Sequence, residues 1–368
     1  MKELRELLKK LAEAFGPPGY EDEVREIVIN YLRDYTDEII VDKWGNVIGV
    51  KKGKSDKLKL MLAAHMDEIA LMIKFIEKNG FLRFTTLGGW NMKNLLSQRV
   101  KIRTVNGNFI KGVVGTKAPH VMTPEEQKKI PEEKDLFIDI GATSKEEVEK
   151  LGIRPGCLAV IDRGFEILPS NNVVCKAFDD RSGVAAMLYA MKLLKDVETE
   201  ATIYAVATVQ EEVGLRGATI SAFRINPTMA IALDVTIASD IPGVPDAEQV
   251  TKLGQGPAIK VLDRSRGWGG GGLIAHSKVK DFLIKVATEE KIPYQEEILV
   301  GGTTDATAIA FTREGVPAGV ISIPCRYVHS PNEMINLNDL MNSAKLVAKA
   351  CEKFNKEVAK EIELKIIR

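Results

Sequence analysis

A chain of 368 residues is too long for one ordinary domain, and we expect about two domains. Lys and Arg together number 51, as do Asp and Glu, and this balance gives no indication of a nucleic-acid or anionic-membrane partner. The apolar runs are far shorter than a membrane span, and the first residues lack the apolar core of a signal peptide.

The four cysteines form no C-x-x-C pair and lie mostly among apolar or small residues. Such cysteines are typical of reduced thiols in a protein that stays in the cytoplasm. We therefore expect a cytoplasmic location and no disulfide among Cys157, Cys175, Cys325 and Cys351.

The amino-terminal part begins with helices and ends with a buried strand. Leucines at helical spacing predict an amphipathic helix over 2–14, and a second helix is predicted over 21–35. A hairpin is predicted over 39–50, with its turn at Lys-Trp-Gly-Asn. The run 58–64 predicts a buried strand that ends at His65.

Between residues 70 and 165 the pattern changes to short alternating runs separated by Gly, Asn and Pro. This pattern is typical of a small all-β domain, with one helix predicted over 144–151. The polar, proline-punctuated stretch 117–134 is predicted to be a long mobile loop. The predicted strands are 72–75, 82–86, 99–104, 109–114, 136–140 and 159–161.

After residue 171 the α/β pattern returns. The run 202–208 is small, β-branched and uncharged, as expected of a strand buried on both faces. Other strands are predicted over 173–178, 229–233, 258–262 and 318–323, and helices after residue 179, over 277–290, after residue 304 and over 337–360.

An all-β domain inserted into an α/β domain accounts for this order, because neither α/β segment is complete alone. We therefore predict an α/β fold in which a mixed sheet has flanking helices and a small all-β domain is inserted. The predicted boundaries are 1–69 and 165–368 for the α/β domain and 70–164 for the insert.

Polar side chains follow several predicted buried strands, at the sheet edge where ligands collect. A single His or Asp there is more often a hydrogen-bonded structural residue. Several such polar side chains on one buried edge would lack a compensating partner unless a cation lay among them. Imidazole and carboxylate groups suit zinc, cobalt or manganese, and the lack of thiolates favours an open catalytic site. The five candidate ligands, enough for two ions that share a carboxylate, are His65, Asp179, Glu212, Asp234 and His329.

Two adjacent glutamates, Glu211 and Glu212, follow the run 202–208. Such a pair is either solvated at the start of a loop, or divides metal binding and proton transfer between its members. Because candidate ligands collect at the same predicted edge, we favour the second interpretation.

Several motifs lie in order along the chain: His65-x-Asp67, Asp179-Asp180-Arg181-x-Gly183, Glu211-Glu212-Val213-Gly214, Asp234, Gly301-Gly302-x-Thr304-Asp305 and Pro324-x-Arg326-Tyr327-x-His329. In order, spacing and identity they resemble the tetrahedral (TET) aminopeptidases. These are dinuclear metallo-aminopeptidases with a zinc-peptidase type of fold, also known as the glutamyl aminopeptidase or endoglucanase-like family. The resemblance runs nearly end to end and includes the inserted domain.

The resemblance implies that the chain removes amino-terminal residues from peptide substrates. It implies two divalent metal ions per subunit, with zinc favoured and cobalt as the alternative. One ion would be held by His65, Asp179 and Asp234, and the other by Glu212, His329 and the shared Asp179.

The resemblance also assigns the remaining site residues. Glu211 would be the general base, and Asp67 would orient His65, as a partner of a metal-bound imidazole does. A cis peptide bond is implied between Asp179 and Asp180. Asp305 would shape the substrate pocket, or else simply cap the helix that follows it.

For the insert, the resemblance implies that it pairs subunits into dimers and that six dimers close into a hollow tetrahedral dodecamer. A monomer or simple dimer with the insert as a lid is the alternative. The preferred first residue of the substrate does not follow from the sequence.

Two other functions stay open. A metallo-carboxypeptidase or amide deacylase could use a similar dinuclear core, but it needs a cation for the substrate carboxylate, and Arg181 and Arg326 are the arginines near candidate ligands. A glucanase would use two carboxylates without a metal. The glycine-rich stretch 267–272 lacks the Lys-Ser/Thr of a phosphate loop and is interpreted as a surface loop, and His120 as a solvated side chain unless it reaches an active site.

Overall fold

The computed structural model describes residues 1–264 and 271–362, so most of the glycine-rich stretch 267–272 lies outside the described residues. The helices are α1 (Lys2–Glu13), α2 (Asp22–Leu32), α3 (Met92–Leu95), α4 (Pro124–Lys128), α5 (Lys145–Lys150), α6 (Phe178–Leu193), α7 (Arg216–Ile225), α8 (Ser277–Glu289), α9 (Asp305–Ala310), α10 (Leu337–Lys353) and α11 (Lys356–Ile362). The strands are β1 (Glu38–Val41), β2 (Val47–Lys51), β3 (Ser55–His65), β4 (Ala70–Ile76), β5 (Leu82–Leu87), β6 (Arg99–Arg103), β7 (Phe109–Gly115), β8 (Phe137–Asp139), β9 (Leu158–Ile161), β10 (Glu166–Ile167), β11 (Asn172–Cys175), β12 (Ala201–Thr208), β13 (Met229–Ile237), β14 (Ala258–Arg264), β15 (Gly272–Ile274), β16 (Gln295–Val300), β17 (Ala318–Arg326) and β18 (Glu333–Asn336).

Within the described residues, a mixed sheet of twelve strands forms the larger part of the fold. Its path runs β1-β2-β12-β3-β13-β17-β18-β11-β10, and β14 joins beside β17 and carries β15 and β16. The central strands β12, β3, β13 and β17 are parallel and largely buried, as their apolar runs predict. The carboxyl ends of these parallel strands meet at one edge of the sheet. At that edge His65, the last residue of β3, pairs with Thr208, the last residue of β12.

Helices cover both faces of this sheet. Helices α1, α2, α6, α8 and α10 bury their apolar side chains on one face, and α7 and α9 do so on the other. Helix α6 is buried along most of its length, which fits its small, largely uncharged residues. The predicted α/β class, with a mixed sheet and flanking helices, is confirmed. No helix of the described residues has the length and apolar character needed to cross a membrane.

A second, closed sheet comes between β3 and β10 in the sequence. Strands β4-β5-β8-β7-β6-β9 form an antiparallel barrel filled by apolar side chains such as Ile73, Phe84 and Ile138. Phe15, which follows α1, packs against the barrel, and its ring lies 5.2 Å from that of Phe109. The barrel is the expected small all-β domain, while its boundaries and its part in dimer formation stay predictions.

The stretch 117–134, predicted as a loop, contains the helix α4. The Thr123 hydroxyl accepts a hydrogen bond from the Glu126 N–H, and the Glu126 carboxylate accepts one from the Thr123 N–H. These reciprocal bonds form a capping box, which starts a helix even in a polar segment. The prediction of a loop is therefore wrong for residues 124–128.

The stretch 337–360, predicted as one helix, forms α10 and α11. The break lies at the buried Phe354 and at Asn355, whose side chain accepts hydrogen bonds from the N–H groups of Glu357 and Val358. Such bonds satisfy the free donors of a new helix start. The apolar spacing continues across the break, so periodicity alone did not separate the helices.

All four cysteines lie within the described residues, and each is buried and forms no disulfide. Burial raises the pKa of the Cys175 thiol to about 12. The Cys175 thiol is therefore kept in its unreactive, protonated form.

Candidate active site

The five candidate ligands converge on one cavity at the edge where the parallel strands end. The cavity has a volume of about 560 Å³. His65 is the last residue of β3, whereas Asp234 lies inside β13, which continues three residues beyond it instead of ending there. The other ligands lie at the start of α6 or in the segments after β12 and β17. The cavity is lined by His65, Asp179, Glu212, Asp234 and His329, together with Glu211.

These ligands form two groups of three that share Asp179. Its Oδ1 atom lies 3.1 Å from His65 Nε2, and its Oδ2 atom lies 3.2 Å from His329 Nε2. Asp234 completes the first group. Glu212 completes the second, with its Oε1 atom 3.3 Å from His329 Nε2. One carboxylate therefore faces both groups.

The separations suit atoms that share a metal ion. Ligand atoms bound to zinc at about 2.0–2.2 Å lie about 3–3.5 Å from one another. Although Glu212 Oε1 lies near His329, it is buried and accepts no hydrogen bond. A buried acceptor without a donor is costly unless a cation compensates it. The residues present therefore fit a divalent ion in each group.

Burial controls the protonation of this cluster. It raises the pKa of Asp234 and of Glu211 well above their ordinary values, and neighbouring carboxylates add to the rise. Burial alone would lower the pKa of His65, but Glu211 and Asp179 outweigh it and the pKa rises. A bound cation would act against these shifts by favouring the ionised carboxylates and the neutral imidazole.

Asp67 links His65 to the segment that carries Glu211 and Glu212, through contacts with backbone groups. Its Oδ1 atom accepts a hydrogen bond of 2.9 Å from the Glu211 N–H, and its Oδ2 atom accepts one of 3.1 Å from the Glu212 N–H. His65 Nδ1 lies 3.1 Å from the Asp67 carbonyl oxygen and 3.5 Å from its carboxylate. Asp67 thus contacts His65 chiefly through its backbone, and its carboxylate fixes the two glutamates.

Glu333 is a buried site residue that was not selected from the sequence. Its Oε2 atom accepts a hydrogen bond from the Asp179 N–H, and its Oε1 atom accepts one from the His329 N–H, each at 2.9 Å. One side chain therefore fixes the backbone of two ligands. The available signal is a carboxylate that opens the short strand β18, four residues after His329.

The peptide bond between Asp179 and Asp180 is cis. Asp180 is fully buried, and its carboxylate accepts hydrogen bonds from the His65 N–H at 3.3 Å and the Gly183 N–H at 2.9 Å. Asp180 therefore ties the end of β3 to the start of α6.

The barrel reaches the site through its backbone. Gly89, between β5 and α3, lines the cavity. A Cβ atom at Gly89 would lie 3.1 Å from His329 Nδ1, and one at Gly88 would lie 3.0 Å from Glu212 Oε2. The barrel therefore contributes a close wall beside the second ligand group.

Several left-handed backbone conformations flank the cavity. Such conformations cost about 1–2 kcal/mol for a residue that has a side chain. Backbone strain of this kind concentrates at functional sites, where the surrounding structure holds it. The residues with positive φ here are Ala177, Gln210, Leu215, Tyr327 and His329.

The remaining candidates lie away from the cavity lining. Asp305 is buried at the first position of α9, and its Oδ2 atom accepts a hydrogen bond of 2.5 Å from the Thr208 hydroxyl. Thr304, not Asp305, is the N-cap residue of α9, so the capping interpretation is wrong. His120 is exposed and is not among the residues that line the cavity.

The comparisons with known proteins agree with this geometry. The M42 glutamyl aminopeptidase family matches residues 45–346. The chain is 38% identical to a lysyl aminopeptidase of Pyrococcus furiosus, over 93% of this chain and 94% of the relative.

Solved structures give the same result. An aminopeptidase of the archaeon Desulfurococcus kamchatkensis is 48% identical, with a TM-score of 0.94 over 100% of this chain and 99% of that one. The TET1 peptidase of Pyrococcus horikoshii, which can assemble into a tetrahedron or a large octahedral shell, is 34% identical, with a TM-score of 0.84 over 95% and 100% of the two chains. The chain therefore belongs to the M42 glutamyl aminopeptidase family and is a peptide hydrolase.

Proposed function

We propose that the chain is an aminopeptidase that uses two divalent metal ions per subunit, zinc in preference to cobalt. His65, Asp179 and Asp234 would hold one ion, and Asp179, Glu212 and His329 the other. The observation that carries the proposal is the Asp179 carboxylate, whose two oxygens face two separate ligand groups about 3 Å away.

Glu211 is the proposed general base. It lines the cavity, belongs to neither ligand group, and its Oε2 atom lies 3.9 Å from His65 Nε2. When bound, the ions would lower the pKa of a water and polarise the scissile carbonyl. Glu211 would take a proton from the attacking water and pass it to the leaving amine. Asp67 would hold Glu211 in place through the Glu211 N–H.

A carboxypeptidase or an amide deacylase is less well supported. Arg181 donates hydrogen bonds to the backbone carbonyls of Leu11 and Gly16, and Arg326 pairs with Asp240. Neither arginine lines the cavity, so neither is placed to bind a substrate carboxylate there. The Asp305 side chain bonds to Thr208 and does not line the cavity, whereas the preceding residues Thr303 and Thr304 do. Asp305 therefore stays a proposed substrate-pocket residue that acts by positioning these neighbours.

Aminoacyl anilides with free and acetylated amino groups test this proposal. We expect the free compounds to be cleaved and the acetylated ones to resist, because the free amine is what marks the amino end. A chelator should abolish cleavage, and added zinc or cobalt should restore it. Cleavage of acetylated substrates, cleavage of cellulose, or full activity after the metal content has fallen to zero would contradict the proposal.

We further propose that the chain self-associates, with the barrel pairing subunits into dimers and the dimers forming a tetrahedral dodecamer. The P. horikoshii relative that assembles into a tetrahedron or an octahedral shell supports this. A net charge of zero does not oppose association. A cytoplasmic location stays a prediction.

Light scattering should give a mass near twelve times the 40.5 kDa of one chain at micromolar concentration. The same sample should cleave an aminoacyl anilide, so that mass and activity are read together. A monomeric mass with full activity would contradict the assembly proposal and leave the metal proposal untouched.

A further inference from the structure

The cavity has walls that the proposed chemistry does not use. Thr236 on β13, Leu299 on β16 and the segment 301–304 line it together with the ligands. An aminopeptidase holds only one residue on the amino side of the bond that it cuts. The side chain of that residue must therefore lie within the cavity, against walls of this kind. Lining residues outside the two ligand groups are thus candidates to select it.

Lys260 on β14 is a charged residue in this lining. It is buried, with 1% of its surface exposed. Its Nζ atom donates a hydrogen bond of 2.9 Å to Glu297 Oε1 and lies 3.9 Å from Asp263 Oδ2. Glu297 also accepts a hydrogen bond from the Thr236 hydroxyl.

The two carboxylates of this cluster lie behind the lysine. Glu297 and Asp263 are buried to 0% and 1% exposure, and neither lines the cavity. An ammonium group has three N–H donors. Among the described residues, Glu297 alone accepts a hydrogen bond from Lys260. Of the three charged residues of this cluster, Lys260 lines the cavity and the two carboxylates do not.

A charge at a buried wall acts strongly, because little water is present to screen it. A cationic side chain in the cavity would be repelled by the charge of Lys260, which belongs to the cavity wall. An uncharged side chain of similar length would pack against Leu299 without that repulsion. The Glu297 carboxylate fixes the ammonium, so Lys260 cannot simply swing away.

We propose that Lys260, held by Glu297, is a specificity-determining residue that excludes lysine and arginine from the first position of the substrate. This inference rests on the proposed aminopeptidase function, and it concerns which substrate is accepted, not how the bond is cut. Uncharged first residues, such as methionine, are the class that the site accepts over cationic ones.

Methionine and lysine anilides, whose first side chains are similar in length, test the inference. We expect kcat/KM of the wild type to be at least about 10-fold higher for the methionine compound. Lys260→Met should shift this ratio at least about 10-fold towards lysine, because the Glu297 carboxylate behind the wall then lacks its cation. Lys260→Arg keeps the charge and should keep the wild-type preference, a rescue that a purely structural role would not require.

Lys260→Met leaves a buried carboxylate unpaired and can fail to fold, so the double variant Lys260→Met/Glu297→Gln accompanies it. The double variant removes both charges and should cleave the two anilides within about 3-fold of each other. Equal cleavage of both anilides by the wild type would overturn the inference, as would a wild-type ratio in the folded double variant. If the wild type cleaved no anilide at all, the proposed function would fail and this inference with it.

Discussion

Replacing Glu211 with glutamine is expected to lower kcat at least about 10²-fold while the protein keeps both metal ions. Glu211 lines the cavity but belongs to neither ligand group. Glutamine has nearly the same shape and keeps the backbone N–H that Asp67 binds, but it cannot accept a proton from water. Steady-state kinetics on an aminoacyl anilide, with the metal content of the same sample, measures both quantities.

Glu212→Gln is the matched control, since it makes the same chemical change one residue away. Glu212 belongs to the second ligand group with Asp179 and His329, so this variant should lose one of the two ions. The two glutamates therefore separate a proton-transfer role from a ligand role. Equal metal loss in both variants would contradict the assignment, as would an unchanged kcat in Glu211→Gln.

The positions of the proposed ligands could be predicted because each one interrupts an apolar pattern. His65 ends a buried strand, and Glu212 follows another, where a charge has no structural reason to be. Parallel strands then bring such residues to one edge without any knowledge of tertiary contacts. Asp234 shows the limit of this reasoning, because β13 continues past it. Only the direction of the Asp234 side chain places it in the cavity.

Residues that hold the ligands could not be found in this way. Glu333 binds the N–H of Asp179, which lies 154 residues away in the sequence, and Asp67 binds the N–H of Glu212 across 145 residues. A hydrogen bond between such distant residues leaves no periodic signal. The short strand β18 and the small polar residues of α7 likewise give little apolar pattern to detect.

Buried charges were also missed. Glu68 and Lys176 follow the same local patterns as solvated residues, yet both are about 3% exposed or less. Arg181 was expected to be either a substrate ligand or structural, and its burial among backbone carbonyls shows the second. These three residues form one cluster beneath the site, and their energetics give a testable result.

Glu68 is the anion of that cluster. Its two carboxylate oxygens accept hydrogen bonds from Lys176 Nζ at 2.8 and 2.7 Å, and Arg181 Nη2 lies 3.4 Å from Oε1. Lys176 and Arg181 also donate to backbone carbonyls at the end of α1 and just after it. The cluster therefore fastens the first helix to the start of α6, where Asp179 lies.

Glu68→Gln should lower the free energy of unfolding by about 3–5 kcal/mol, because it leaves two buried cations without an anion. For a chain of 368 residues, that corresponds to a fall of about 4–6 °C in the melting temperature. Glu198→Gln is the control: Glu198 pairs with Lys54 at 2.9 Å, but both side chains are exposed, at 81% and 67%. An exposed pair contributes little to stability because solvent screens it, so this variant should unfold nearly as the wild type does. Denaturant titration at one protein concentration compares the three proteins, and equal unfolding of the two variants would show that the buried cluster does not stabilise the fold.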